Sequence, residues 1–491
     1  MPEGTIPKVT SDSFPDTPEF TGFNRPTRIE AAVQGLEISF GAVPAALDGV
    51  FYRMQPDPVW PPMLGRDISL NGDGLVTSFH FSGGTVDYRS RYVRTDKYLA
   101  EQRAGRALFG AYRNPHTDDP SVAGLSRGTA NTSILWHAGL LLALKEDSLP
   151  IAVDPDTLET LGTHDYGGAV TSLTLSAHPK IDPDNGNLYT YGYAARGEAT
   201  TDIAYYVIDP QGRVLHESWF QAPYGCMIHD FGISEHHALF PITPLCSDPD
   251  RLRAGGAHFA WERKLPSYLG LVERDRSGAQ PVWHAGPTCH ATHTFNAWED
   301  ASGVHYEAPT GSDRVFPFFP ATDNQPWDAL GAAPCLTRWT VDPAQASSPV
   351  VQQPLTTLRG DFPRIDDRYT GRRARRGWIV GCDPAFAGSG RPGMMGNNSI
   401  IELDLEQGTH RSYHVGLGCL PQEPQFIPRS ADAPEGDGWL LLVRHRPADM
   451  ASDLVLLDTR DISAGPVAVV ALPFRLRRGL HGTWLPRSAR G

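Results

Sequence analysis

Long helix is what this sequence has least of. Its 491 residues include 49 glycines and 43 prolines, which punctuate turns and interrupt helices. Long apolar runs are missing too. No stretch reaches the ~18 residues of a membrane-spanning helix, so membrane insertion is not expected. The opening segment "MPEGTIPKVTSDSFPDTPEF" lacks the charged-then-apolar order of a secretion signal. Basic residues are in deficit, 43 Lys and Arg against 56 Asp and Glu, for a formal charge of −13. That removes the electrostatic footprint of a nucleic-acid binder. The six cysteines, Cys226, Cys246, Cys289, Cys335, Cys382 and Cys419, are scattered with no CxxC pair, which favours a reducing compartment over a disulfide framework. A strict repeat and the WD signature are also absent. These absences describe a soluble, cytoplasmic protein. The 40% hydrophobic content is enough for a sizeable core.

What is present is strand. "GVFYRM", "LVTSFHF", "SILWHAGLLLAL", "NLYTYGY", "IAYYVID", "GWLLLVRH" and "DLVLLDT" are short, rich in β-branched and aromatic residues, and bounded by turn formers. "DPQG" and "DPDNG" mark turns between such runs. The best helical segment is Thr95–Leu108, opening on a Thr or Asp cap. No composition break separates domains, so residues 1–491 read as one all-β domain. Many short strands over this length fit a closed β-propeller, with a pair of β-sandwiches as the second choice.

Eighteen histidines are available, and most should be ordinary surface or core residues. His236 and His237 read as turn residues. Cys289, His290 and His293 resemble a zinc half-site, but no second half lies nearby. Four histidines, His178, His229, His293 and His481, each sit at the edge of a strand. In a propeller, equivalent strand ends converge on the axis, so four imidazoles from four blades can meet one metal.

The segments around these histidines, "AHPKIDPDNG", "MIHDFGIS", "THTFNAWED" and "LHGTWLP", resemble the four metal-ligand motifs of the carotenoid cleavage oxygenase family. "GVFYRMQPDP" and "NGDGLVTSFHF" are similar to its N-terminal signature, and "LPQEPQFIPR" and "SDLVLLDTRDISAGPVAVVALP" to its C-terminal one. The likeness runs from about Phe51 to Pro486. It implies a seven-bladed β-propeller with Fe(II) on the axis under a dome of loops and short helices. It also implies O2 as co-substrate, no organic cofactor, and cleavage of a C=C bond into two carbonyls.

Four neutral imidazoles leave the charge of an iron ion uncompensated, so carboxylates should hold their N–H groups. The resemblance offers Glu146, Asp361 and Glu423. Asp361 stands where the family more often has glutamate, and one methylene less leaves its direct bond to an imidazole open. Thr132, in "ANTSI", matches a position beside the open side of the metal. A strand-surface threonine is the plain alternative.

"LLLALKEDSLP" poses a separate question, because five apolar residues lead straight into Lys145. Lysine is seldom buried without a partner. On residues alone, its stem packs while its head reaches water, or it pairs with Glu146 or Asp147. Together with "LFGAYRNPHTDDPS", however, the segment resembles the branch of the family that cleaves phenolic alkenes, the lignostilbene dioxygenases and isoeugenol oxygenases. In that branch a tyrosine and a lysine bind the substrate's para-hydroxyl, and they map to Tyr112 and Lys145. Phenol and lysine both titrate near ~10, and a buried ammonium beside a phenol favours the phenolate. The phenolate then enriches the conjugated alkene in electrons. The products would include a 4-hydroxybenzaldehyde such as vanillin.

Two departures bear on the pocket. Thr292, before His293, and Leu70, before "NGDG", both stand where relatives often carry phenylalanine. Each is expected to remove an aromatic wall near the metal. The "LFGAYRNPHTDDPS" and "LPFRLRRGLHGTWLP" stretches lean toward a one-ring alkenylphenol over a stilbene. Two other readings remain open: carotenoid or apocarotenoid cleavage, for which the charged segment Thr95–Leu108 is a poor membrane anchor, and a propeller that binds ligands without chemistry.

Overall fold

The computed structural model describes residues 13–65, 67–345, 348–386 and 396–490. Residues 1–12, on which the reading of the N-terminus partly rests, lie outside the described residues.

Among the described residues, the strands pair into seven antiparallel units arranged as propeller blades and a separate two-stranded ribbon, Leu245–Ser247 with Phe259–Trp261. Blade 1 holds Gly49–Pro56, Gly74–Ser82 and Thr85–Tyr92. Blade 2 runs from Ser133–His137 to Thr160–Thr163, blade 3 from Lys180–Ile181 to Val214–Gln221, and blade 4 from Gly232–Ile233 to Val282–Gly286. Blades 5 and 6 share the 15-residue strand Val351–Ile365. Its first residues pair with Cys335–Val341 and its last with Arg376–Cys382. Blade 7 is built on Gly438–Arg446, Ala451–Asp458 and Pro466–Ala471.

The two ends of the chain interlock to close the ring. The C-terminal strand Gly482–Pro486 pairs with Gly49–Pro56 on the inner edge of blade 1. The N-terminal strand Ile38–Gly41 pairs with Pro466–Ala471 on the outer edge of blade 7. Backbone groups that would be left at open edges are satisfied by the closure.

Period-two alternation explains the packing. Every residue of Gly49–Pro56 is buried. Val50, Tyr52 and Met54 face Ile134, Leu141 and Ala143 of blade 2. Phe51, with Phe79 and Phe81 of the neighbouring strand, faces Trp439, Leu441 and Val443 of blade 7. Each blade is thus apolar on both faces. Full burial of one such side chain stabilises by about 1.5–3 kcal/mol.

Among the described residues, helix is confined to short segments. The expected Thr95–Leu108 helix covers Asp96–Ala104. Thr95 caps it by accepting from the Tyr98 amide, and Gly105 ends it in the left-handed region at φ 67°, a conformation glycine adopts without steric cost. Its buried Lys97 bridges Asp73 at 3.0 Å and Glu101 at 2.7 Å. Glu101 also accepts from the amides of Leu108 and Phe109. That tether fixes the chain just ahead of Tyr112. Among the described residues, no helix is long and apolar enough to cross a membrane, and all six cysteines are free thiols.

Candidate active site

Each of the four singled-out histidines stands at the mouth of an inner blade strand. His178 precedes Lys180–Ile181, His229 precedes Gly232–Ile233, His293 lies between His290–Ala291 and Asn296–Asp300, and His481 precedes Gly482–Pro486. They come from blades 3, 4, 5 and 1. Their ligand nitrogens lie within 4.8 Å of one another. The Nε2 atom of His229 is 3.2 Å from those of both His178 and His293. A metal–nitrogen bond of about 2.1 Å places adjacent ligands about 3 Å apart, so these spacings suit one ion.

The three blades without a ligand histidine supply the carboxylates. Glu146 of blade 2 accepts from His229 Nδ1 at 2.7 Å. Asp361 of blade 6 accepts from His293 Nδ1 at 2.8 Å. Glu423 of blade 7 accepts from His481 Nδ1 at 2.9 Å. A carboxylate on Nδ1 fixes the proton there and leaves the Nε2 lone pair for a metal. The chemistry of the donor set therefore fits a divalent ion with nitrogen preference, such as iron.

Electrostatics agree with this assignment of protons. Burial alone would raise Glu146, but the His229 imidazole and the Arg113 guanidinium bring it down to about 2. Glu423 is likewise held at about 2 against its burial, by Arg364 and His481. His178 is pushed well below the usual imidazole range, by burial first and then by the other three rings. Among the described residues, it has no carboxylate at hydrogen-bond distance. Asp230 Oδ2 stands 3.8 Å from its Nδ1 and is engaged by the Thr294 amide at 2.8 Å, while Oδ1 pairs with Lys180 at 2.7 Å.

The open question about Asp361 has a geometric answer. The aspartate reaches His293 directly because the strand bulges between Asp361 and Arg364, with Phe362 at φ 51°. Thr292 has a different place from the one expected. It is not among the residues that line the cavities at the histidines; its buried hydroxyl donates to Asp361 Oδ1 at 2.8 Å. The expected loss of an aromatic wall does not follow either. The Phe362 ring stacks on His293 with centroids 4.9 Å apart, and Phe316 stands edge-on to His229 at 6.3 Å.

Among the described residues, two cavities reach the histidines and share His293 and His481 in their walls. One, of about 440 Å³, has a mixed lining in which Lys180, Asp230, Arg364 and Asp367 stand among apolar residues such as Trp136 and Phe295. The other, of about 260 Å³, reaches His229, His293 and His481 and is walled by Phe316, Phe318 and Phe362. Leu70, Tyr112, Thr132 and Lys145 line this apolar cavity.

Lys145 follows the strand Leu140–Leu144 directly, and only 4% of it is exposed. Its ammonium donates to the Leu70 carbonyl at 3.0 Å and to Asn131 Oδ1 at 3.3 Å, and sits 5.0 Å from the Tyr112 ring centroid. It does not pair with Glu146 or Asp147; Glu146 is committed to His229 and to Tyr193, whose hydroxyl donates at 2.8 Å. Burial lowers the Lys145 pKa and pushes the Tyr112 phenol up, so Tyr112 is a hydrogen-bond donor at neutral pH.

The remaining candidates fall elsewhere. His290 Nδ1 accepts from the Val315 amide at 2.8 Å and the Cys289 thiol donates to Ser267 Oγ at 3.4 Å; among the described residues, neither stands in the group of side chains that could hold a metal. His236 is exposed, while His237 opens the strand His237–Ile242. Asn131, Phe316, Phe362 and Arg113 escaped the sequence reading. Only "ANTS" drew attention to the first, and then to its neighbour.

Residues 24–486 match the retinal pigment epithelial membrane protein family. The chain belongs to this family, the carotenoid oxygenases. Its members are iron-dependent oxygenases that cleave alkenes. Among relatives, the chain is 44% identical over 482 residues to lignostilbene-alpha,beta-dioxygenase isozyme III of Sphingomonas paucimobilis, covering 97% of this chain and 98% of the relative. It is 43% identical to isoeugenol monooxygenase of Pseudomonas nitroreducens, covering 96% and 98%. The structure superposes on that of Pseudomonas brassicacearum lignostilbene dioxygenase with a TM-score of 0.92, at 44% identity and covering 97% and 100%. The cobalt-substituted apocarotenoid oxygenase of Synechocystis gives 0.81 at 27% identity, covering 94% and 97%. The β-propeller and the four-histidine metal group thus belong to a carotenoid oxygenase.

Proposed function

We propose that the protein is a non-haem Fe(II) oxygenase that uses O2 to cleave the C=C bond of 4-hydroxyphenyl alkenes, giving aromatic aldehydes such as vanillin. The observation that carries the substrate class is Lys145. A buried ammonium that has no carboxylate partner among the described residues projects into an apolar cavity whose walls include His229, His293 and His481 of the four-histidine cluster. A long apolar polyene offers such a charge nothing, whereas a phenol oxygen satisfies it.

His178, His229, His293 and His481 would hold the iron, with Glu146, Asp361 and Glu423 orienting three of them. Iron(II), when bound, supplies the redox chemistry that joins oxygen to the alkene. The chain's own residues prepare the substrate. Lys145 fixes the phenol oxygen and favours its ionised form. Tyr112 donates a second hydrogen bond to that oxygen. The resulting electron density extends through the ring to the alkene. Phe316, Phe318 and Phe362 exclude water and hold the conjugated system in place. Thr132 narrows the cavity beside the metal. Such a substrate is a small molecule, and the free cysteines are in keeping with a cytoplasmic location for the protein.

Incubation with isoeugenol, 4-vinylguaiacol, a lignostilbene, resveratrol and an apocarotenal tests the proposal. Aldehyde release from the phenolic compounds and none from the apocarotenal is the expected outcome. Purification without stoichiometric metal, or preference for the apocarotenal, overturns it.

A further inference from the structure

We infer that Asn131 is a positioning residue that aims the Lys145 ammonium at the substrate's phenol oxygen while leaving its charge unneutralised. The inference rests on the reading of Lys145 as the phenol-binding cation.

Asn131 is fully buried. Its Nδ2 donates to the Leu70 carbonyl at 2.9 Å and to the Gly72 carbonyl at 2.7 Å. Both amide N–H bonds are thereby spent on carbonyls, which fixes the orientation of the side chain. Its Oδ1 can only face the other way, where it accepts from Lys145 Nζ at 3.3 Å and from Thr132 Oγ1 at 3.0 Å. The Leu70 carbonyl accepts from Lys145 as well, at 3.0 Å. Lysine, asparagine and carbonyl close a triangle. The turn carrying Leu70 is tied down by Asn71, which donates to the Gly110 carbonyl at 3.0 Å.

An ammonium has three donors. Two are held by this triangle, and the third remains for a ligand in the cavity. The chemistry of the holder matters. Both acceptors are neutral dipoles, so they orient the cation without cancelling it. An aspartate at position 131 would form a buried ion pair and compete with a phenolate for the same charge. Thr132, hydrogen-bonded to the same oxygen, accepts at its carbonyl from the His481 amide at 3.1 Å. Asn131 therefore links the phenol end of the cavity to the backbone that carries a candidate metal ligand.

The test is a double-mutant cycle on metal-loaded enzyme with isoeugenol, read as kcat/KM across pH. Asn131→Ala should lower kcat/KM about tenfold, the effect of one hydrogen bond to a charged group. In a Lys145→Met background the same change should cost no more than about twofold, because residues acting through one interaction are not additive. Asn131→Asp should also lower activity. It should move the alkaline limb of the pH profile upward, since a carboxylate holds the ammonium's proton, whereas Asn131→Ala moves it downward. Equal losses from Asn131→Ala in both backgrounds would make the asparagine a packing residue and overturn the inference, as would no loss in either. A Lys145→Met enzyme with undiminished activity would instead sink the underlying reading, and that arm reports it separately. Should Asn131→Ala not fold, Asn131→Ser gives the same cycle with a smaller polar side chain.

Discussion

Thr292 and His293, adjacent in sequence, donate to the same oxygen of Asp361, each at 2.8 Å. The hydroxyl and the imidazole share that oxygen, so the hydroxyl helps to fix the carboxylate that holds the ring. Removing it through Thr292→Val should keep the fold and loosen the metal site. Loss of such an outer partner typically costs about 10–100-fold in metal affinity or activity, and we expect the lower end, since Asp361 itself remains. Competition against a chelator measures it; unchanged affinity would show that the bulged strand alone positions Asp361.

His229→Ala should remove most of the bound metal and nearly all activity. His229 is the ring whose Nε2 lies 3.2 Å from two of the other three, so its loss opens the centre of the cluster. Metal content by elemental analysis gives the answer. A full complement in the variant would rule out the four-histidine assignment.

Lys145→Met keeps the volume of the side chain and drops its charge. We expect the fold and the metal to survive and turnover to fall at least about ten- to a hundredfold, matching ~1.5–3 kcal/mol for a charge-assisted hydrogen bond. Tyr112→Phe should cost less, because a neutral hydroxyl is the weaker partner. Steady-state kinetics on metal-loaded variants within twofold of wild type would make the lysine structural.

A substrate whose para-oxygen is methylated cannot ionise. Isoeugenol should be cleaved and its O-methyl ether scarcely at all. Comparable rates for the two would contradict the electron push through the phenol oxygen.

Away from the site, His137 should govern part of the acid sensitivity. It is buried, neither ring nitrogen has a hydrogen-bond partner among the described residues, and burial lowers its pKa to about 4. Above about pH 6.5 both folded and unfolded forms are neutral and stability is unaffected. As pH falls below that, the unfolded chain takes up a proton that the folded one refuses. Stability then declines by up to about 1.4 kcal/mol per pH unit until about pH 4. His137→Leu should narrow the stability difference between pH 8 and pH 5 by about 2 kcal/mol. Denaturant titration at the two pH values checks this, and an unaltered difference would assign the acid sensitivity to other groups.

The sequence by itself determined the class of the fold and the family. Alternating apolar strands and frequent turn formers specify antiparallel blades because a two-residue period buries each face in turn. The motifs around His178, His229, His293 and His481 are local strings, readable without coordinates. The helix at Thr95 was legible at its cap. Its end was not, because Gly105 stops it before Leu108, four residues short of the expected boundary.

Only the tertiary structure decided how those strings meet. Blades 1, 3, 4 and 5 bring the imidazoles and blades 2, 6 and 7 the carboxylates, partners as far apart in sequence as Glu146 and His229. Closure of the ring by Gly482–Pro486 on Gly49–Pro56 sets His481 beside residues hundreds of positions earlier. Thr292 turns to Asp361 and away from the cavity, and Asn131 takes hold of Lys145, because burial obliges each polar group to find its partner in three dimensions. A hydrogen bond depends on a few tenths of an ångström and on direction. Local sequence sets the chemistry of donor and acceptor, but the packing of the blades sets the distance between them.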